Sequence, residues 1–216
     1  MNDSPKNQLP DPLVFDDGTP VRSADEWPRR RREILETIVD IEYGGLPPAP
    51  SATYSRDLHP AKVKRLGGAR FRNIGVTAKT DPPVSFMLYV LVPDGEGPFP
   101  VVVNGDGCWL YVSDEVRREV LGRGIALAQF NRVEIAPDDY TDARDTGLYL
   151  AYPDHTFGAV AAWAWGYHRC VDVLTRMDEI DADRIAVVGH SRGGKTSLLA
   201  GATDERIAVT GANDSG

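Results

Sequence analysis

Residues 183–196 read Asp183-Arg184-Ile185-Ala186-Val187-Val188-Gly189-His190-Ser191-Arg192-Gly193-Gly194-Lys195-Thr196. Ile185 to Val188 is a short, wholly apolar run, the pattern of a strand buried on both faces of a sheet. Behind it, Gly189, Ser191 and Gly193 satisfy G-x-S-x-G, a sharp strand-to-helix turn that forces a serine into a strained, exposed position. The flanking residues must be small because a side chain there would clash. Gly189, Gly194, Lys195 and Thr196 also satisfy G-x-x-x-x-G-K-[ST], the phosphate-cradling loop of P-loop nucleotidases. Both patterns need a strand before and a helix after, so local context does not separate them. Position in the chain does. A P-loop usually follows the first strand of its domain, whereas here at least four strands are expected earlier and only about twenty residues follow. That order favours a serine hydrolase elbow over a nucleotide site.

The segments on either side agree. Phe71 to Ala78 and Val84 to Val92 are β-branched and apolar, joined by Thr80-Asp81-Pro82-Pro83, and predict an antiparallel pair. Val101-Val102-Val103 predicts a buried strand, followed by a helix over Ser113 to Leu121, a strand over Ile125 to Phe130 and a loop rich in Asp and Tyr over Pro137 to Tyr152. A long helix from about Phe157 to Met177, the motif strand, a helix after Ser191 and a strand over Ile207 to Thr210 complete the series. The fold class is therefore α/β, a mostly parallel sheet with antiparallel N-terminal strands, as in the α/β-hydrolase fold. Residues 1–22 carry Pro, Asp and Asn without apolar periodicity and predict an irregular surface arm, leaving 23–216 as the N-terminal part of one domain. Ser23 and Glu26 have capping-box spacing for a first helix, although Pro28 would move its start later. Ile34, Leu35, Ile38 and Ile41 would form its apolar face.

Composition narrows the function. With 42% hydrophobic and 26% charged residues the chain can bury a core, which excludes a disordered polymer. A net charge of −8 opposes binding to a phosphate backbone, so nucleic acid is not an expected partner. The one basic run, Arg29 to Arg32, sits among acids and suits a solvated helix face. Cys108 and Cys170 are expected to be free, buried thiols. The first residues lack a basic stretch followed by an apolar run, and no segment approaches the roughly 20 apolar residues of a membrane span. As given, the chain is expected to be soluble and cytoplasmic, or secreted if an upstream leader is missing.

The elbow Gly189-His190-Ser191-Arg192-Gly193-Gly194-Lys195, with Arg directly after the serine and Lys four positions after it, resembles that of the glucuronoyl esterases, carbohydrate esterases of the α/β-hydrolase superfamily. Gly158 to Leu174, with Trp163-Ala164-Trp165-Gly166, Arg169 and Asp172, is similar to that family's helix before the nucleophile strand, and Asn213-Asp214-Ser215-Gly216 to its segment after the next strand. The N-terminal Trp27, the arginine-rich helix and Tyr43-Gly44 also agree. The resemblance implies Ser191 as nucleophile, with Arg192 supplying its amide and guanidinium to the oxyanion. It implies that Lys195 holds sugar hydroxyls. Asp214 takes the place of the triad carboxylate, normally the longer Glu, the alternative in some members being an acid on a later strand. The reaction implied is hydrolysis of a glucuronoyl or 4-O-methyl-glucuronoyl ester of xylan, with an acetyl xylan esterase as the neighbouring alternative and no metal or organic cofactor.

The general base is missing from the pattern. In the chain order Ser, acid, His, the histidine must follow Ser191, and none of the four histidines does. His190 is expected to point away from the serine Oγ, His168 to lie in a helix, His59 to precede a proline in a loop, and His155 to be a loop residue of the wrong order. The resemblance would place the histidine and the uronic-acid pocket beyond Gly216. The chain is then the first half to two-thirds of an esterase, inactive as a bare polypeptide and with Ile207 to Thr210 as an aggregation-prone edge. An inactive fragment or pseudoenzyme stands as the alternative. Weaker candidates are Asn104-Gly105-Asp106-Gly107 as a second oxyanion donor or a plain turn, and Trp109, Trp163 and Trp165 as a sugar platform or core. Asp138, Asp139 and Asp142 resemble a metal cluster in composition, with a solvated loop the simpler reading.

Overall fold

The computed structural model describes residues 10–109, 112–139 and 144–215. The elements are α1 (Trp27–Tyr43), β1 (Thr53–Val63), β2 (Ala69–Ala78), β3 (Val84–Val92), β4 (Phe99–Asn104), α2 (Asp114–Gly122), β5 (Ala126–Phe130), α3 (Leu148–Ala151), α4 (Ala159–Leu174), β6 (Ile180–His190), α5 (Arg192–Thr203) and β7 (Ile207–Asn213). The strands form one seven-stranded sheet in the order β1-β2-β3-β5-β4-β6-β7. β1 to β3 and β5 pair antiparallel, and β5-β4-β6-β7 pair parallel, so β2 and β4 to β7 all run one way, against β1 and β3. The expected parallel sheet with antiparallel N-terminal strands is therefore present.

Helices cover the sheet unequally. α4 is apolar nearly all round and buries Trp163, Trp165, Tyr167, Cys170 and Leu174 against β3, β4, β5 and β6. Trp163 and Trp165 are thus core residues rather than a sugar platform, and Trp163 donates its indole N–H to the Ala136 carbonyl at 2.8 Å. α2 closes the opposite face with a smaller cluster of Leu66, Ala69, Leu91, Leu121 and Leu127. Its start is set by Ser113, whose hydroxyl accepts from the Val116 amide at 3.3 Å. Among the described residues no helix is long and apolar enough to cross a membrane.

Four expectations change. β1 escapes periodicity because most of its residues are exposed, and His59 lies in that strand, at a break in its register with β2, rather than in a loop. The Ser23–Glu26 capping box does not form: Glu26 is itself the N-cap, and its carboxylate accepts from the Arg22 amide at 2.7 Å. On α1 Val39 is buried and Ile34 and Leu35 are half-buried, as expected of the latter two, whereas Ile38 and Ile41 are exposed. The arginine run is not wholly solvated either. Arg30 is buried, bonded to Asp16 and Glu33, because its guanidinium replaces water with two carboxylates and lets its stem pack. These contacts also tie the arm to α1, where Phe15 is buried beneath the Arg29 guanidinium.

Candidate active site

Strand β6 runs to His190 and helix α5 begins at Arg192, leaving Ser191 as the whole turn. Its backbone sits at φ 54°, ψ −119°, a conformation that costs a non-glycine residue about 1–3 kcal/mol and persists only where neighbours enforce it. The neighbours are visible. Ser191 donates its amide to the Asn213 carbonyl at 2.9 Å, so the end of β7 holds the elbow. A Cβ at position 189 would overlap the Gly193 carbonyl, and one at 193 would overlap the Asp106 carboxylate, which is why both positions are glycine. The phosphate-cradling alternative fails on the same geometry. Such a loop needs non-helical residues ahead of its lysine, but α5 begins at Arg192, so Arg192, Gly193 and Gly194 are already helical, and the Lys195 amide bonds the Ser191 carbonyl at 3.1 Å.

Ser191 is exposed at the edge of a cleft of about 380 Å³ lined by Asn104, Asp106, Trp109, Arg132, His190 and Arg192. The cleft lies at the carboxyl ends of β4, β5 and β6, where open α/β sheets place their ligands. Trp109 is the only tryptophan of the candidate platform that is open to it, at 73% exposed. The Asn104–Gly107 loop spends its amides inward. Gly105 donates to the Tyr167 hydroxyl at 2.7 Å, Asp106 to the Asn104 side chain at 3.2 Å and Gly107 to the Phe130 carbonyl at 3.2 Å. These amides form a braced turn, not an oxyanion donor. Tyr167 in turn donates to the Val188 carbonyl at 2.9 Å, and burial pushes its hydroxyl pKa well above the usual phenol range.

Charges surround the serine in alternation. The Asp106 carboxylate accepts from the His190 amide at 2.8 Å and pairs with Arg132, which is 1% exposed. Arg132 also lies 3.9 Å from Asp138, and Asp138 pairs with the Arg192 guanidinium. Asp138 is thus held by arginines rather than lying in a solvated loop, and Asp142 falls outside the described residues. Arg132 and Tyr167 were not singled out by sequence; the usable signal for Arg132 was a cation two residues past the end of a buried strand.

The remaining candidates separate cleanly. Lys195 is exposed, one helical turn beyond Ser191. Asp214 follows β7 directly, exposed and left-handed at φ 51°, one residue past the carbonyl that holds Ser191. His190 lines the cleft, and its Nδ1 lies 2.9 Å from the Asn213 side-chain amide. His168 sits between α4 and α5 against the Ala200 carbonyl, and His155 packs on Tyr152 and Phe157. Both cysteines are free thiols; Cys170 is buried and Cys108 only partly so.

Several known proteins are similar to this chain. A family model described as "Glucuronyl esterase, fungi" matches residues 74–216. A 4-O-methyl-glucuronoyl methylesterase 1 of Wolfiporia cocos is 34% identical over 220 residues, covering 97% of this chain and 50% of the relative. A 4-O-methyl-glucuronoyl methylesterase of Phanerochaete carnosa is 33% identical, with the same coverage. The solved glucuronoyl esterase of Solibacter usitatus superposes with TM-score 0.82 at 28% identity, covering 98% of this chain and 64% of that one. A glucuronoyl esterase of Sporotrichum thermophile in complex with methyl 4-O-methyl-beta-D-glucopyranuronate superposes with TM-score 0.71 at 28% identity, covering 93% and 50%. The chain spans about half the length of the curated relatives it matches.

Proposed function

We propose, from the premise that this chain belongs to the glucuronyl esterase family, that it carries the nucleophile half of a serine esterase acting on 4-O-methyl-glucuronoyl esters. The observation that carries the reading is Ser191, strained and exposed between β6 and α5 at the edge of the only cleft that contains it among the described residues. The substrate class follows from the names of the relatives and from the uronate ester bound by the Sporotrichum thermophile enzyme.

In this reading the Ser191 Oγ attacks the ester carbonyl as an imidazole takes its proton. The tetrahedral oxyanion lies against the Arg192 amide, which as the first helical N–H has no helical acceptor, and against the Arg192 guanidinium. Because the Asn104–Gly107 amides are spent inward, the guanidinium takes the place of a loop donor. Collapse expels the alcohol, which receives the proton from the imidazole, and water then releases the uronic acid from the serine. Asp214, one residue past the Asn213 carbonyl that accepts the Ser191 amide, orients the imidazole in this reading. Lys195 holds sugar hydroxyls from the same side of α5. Residues 1–216 contain no histidine after Ser191, so the reading requires an imidazole from outside them.

The test is hydrolysis by the complete gene product of methyl 4-O-methyl-glucuronate, with an acetylated xylan as the competing substrate. Ser191→Ala is expected to lower kcat about 10⁴-fold or more on the uronate ester. Preference for acetyl groups would overturn the substrate class, and turnover retained in Ser191→Ala would overturn the nucleophile.

A further inference from the structure

We propose that Asp138 is the positioning residue for the Arg192 guanidinium, as the third member of an alternating chain Asp106, Arg132, Asp138, Arg192 that grips the elbow from both sides of the serine. The proposal rests on the reading that Ser191 is the nucleophile and Arg192 its oxyanion partner.

The Arg192 side chain is 40% exposed and, left alone, would spread over many rotamers, at a cost of up to about 2 kcal/mol to hold in one. A cation that must meet a developing oxyanion has to be in place beforehand. Asp138 is built to do this. Its own carboxylate is 17% exposed and bonds Arg192 Nη1, which leaves Nη2 and Nε for a second acceptor. The segment that carries it is anchored two residues earlier, where the buried Trp163 indole donates to the Ala136 carbonyl at 2.8 Å. The face of the same indole lies 4.9 Å from the Arg132 guanidinium. Arg132, buried and paired with Asp106, then approaches Asp138 from behind at 3.9 Å.

The order of charges matters as much as the contacts. Asp138 alone would cancel the charge of Arg192 and blunt its pull on an oxyanion. Arg132 lies 3.9 Å from the same carboxylate and offsets part of its negative charge, so Arg192 is less fully neutralised than in an isolated pair. At the inner end, the Asp106 carboxylate accepts the amide of His190, the residue before the serine. The network begins on the backbone before Ser191 and ends on the side chain after it. Nothing in the local sequence announces this, because Asp138 and Arg192 are 54 positions apart.

The experiment compares Asp138→Ala, Asp138→Glu, Arg192→Ala and the Asp138→Ala/Arg192→Ala double variant in the complete gene product on methyl 4-O-methyl-glucuronate. Outright loss of an oxyanion donor costs about 10²–10³ in kcat, so misplacing one through Asp138→Ala is expected to cost about 10–100-fold with KM nearly unchanged. In the Arg192→Ala background the same change should cost no more than about twofold, and Asp138→Glu should recover part of the loss. Unchanged kcat in Asp138→Ala, or an equal loss with and without Arg192, overturns the proposal. A second measurement does not depend on turnover. The Nη1–H resonance of Arg192, identified by its absence in Arg192→Lys, should be slow to exchange with water in the unmodified protein and fast in Asp138→Ala. Exchange that is the same in both overturns the positioning role. An inactive unmodified protein that still shows the exchange difference would refute the esterase reading and leave the pairing intact.

Discussion

At the scale of single residues, the site depends on atoms that are absent. Gly193 is the sharpest case, because a Cβ there would overlap the Asp106 carboxylate and approach Arg132 Nη1 to 3.0 Å. Neither partner can retreat, since both are buried and bonded to each other. Gly193→Ala is therefore expected to cost about 1–3 kcal/mol in denaturant unfolding, the range for overpacking a filled core. A change under about 0.5 kcal/mol, the range of ordinary surface substitutions, would show that the elbow has slack. The need for small residues at 189 and 193 is legible in the sequence because it acts within one turn of chain. What those glycines make room for is not. Asp106 and Arg132 arrive from β4 and β5, and nothing near either residue states that they meet under the serine.

At the scale of elements, legibility follows how one-sided each element's environment is. Buried strands such as β4 and β5 announce themselves by short, mainly apolar runs, whereas β1, exposed over most of its length, has no pattern to find. α1 misleads for the opposite reason: a regular apolar spacing is present, but a buried arginine fixes the helix to the arm and leaves Ile41 81% exposed. The contact between α4 and α5 carries a titration. His168 is wedged there against the Ala200 carbonyl and the Thr203 hydroxyl, and burial lowers its pKa below 6.5, only partly opposed by Asp204. The folded imidazole thus stays neutral where the unfolded one becomes charged. Its contribution to stability is complete above pH 6.5 and declines as the pH falls below it, by at most about 1.4 kcal/mol per pH unit. Melting midpoints should drop on acidification over that range, and His168→Gln should flatten the slope. An equal slope in the variant would assign the acid lability to other groups.

At the scale of the whole molecule, the sequence of alternating strands and helices implies the sheet but not its order. β5 lies between β3 and β4, so the first buried strand is in the middle of the sheet and its loop opens beside the elbow. That crossover brings Asn104, Asp106, Arg132 and Ser191 to one end of three parallel strands. The elbow could be read from fourteen consecutive residues, 183–196; the cleft exists only once the strands are ordered. The chain belongs to the glucuronyl esterase family and spans about half the length of the curated relatives it matches.

The measurement that tests this most directly is covalent labelling of the complete gene product with an alkyl fluorophosphonate, followed by peptide mapping. A serine activated on a strained elbow should displace fluoride and carry the phosphonyl group, so the adduct is expected on the peptide containing Ser191, in step with loss of ester hydrolysis, and to be absent in Ser191→Ala. An adduct on another residue, or hydrolysis that continues with Ser191 fully labelled, would contradict the assignment of Ser191 as the nucleophile.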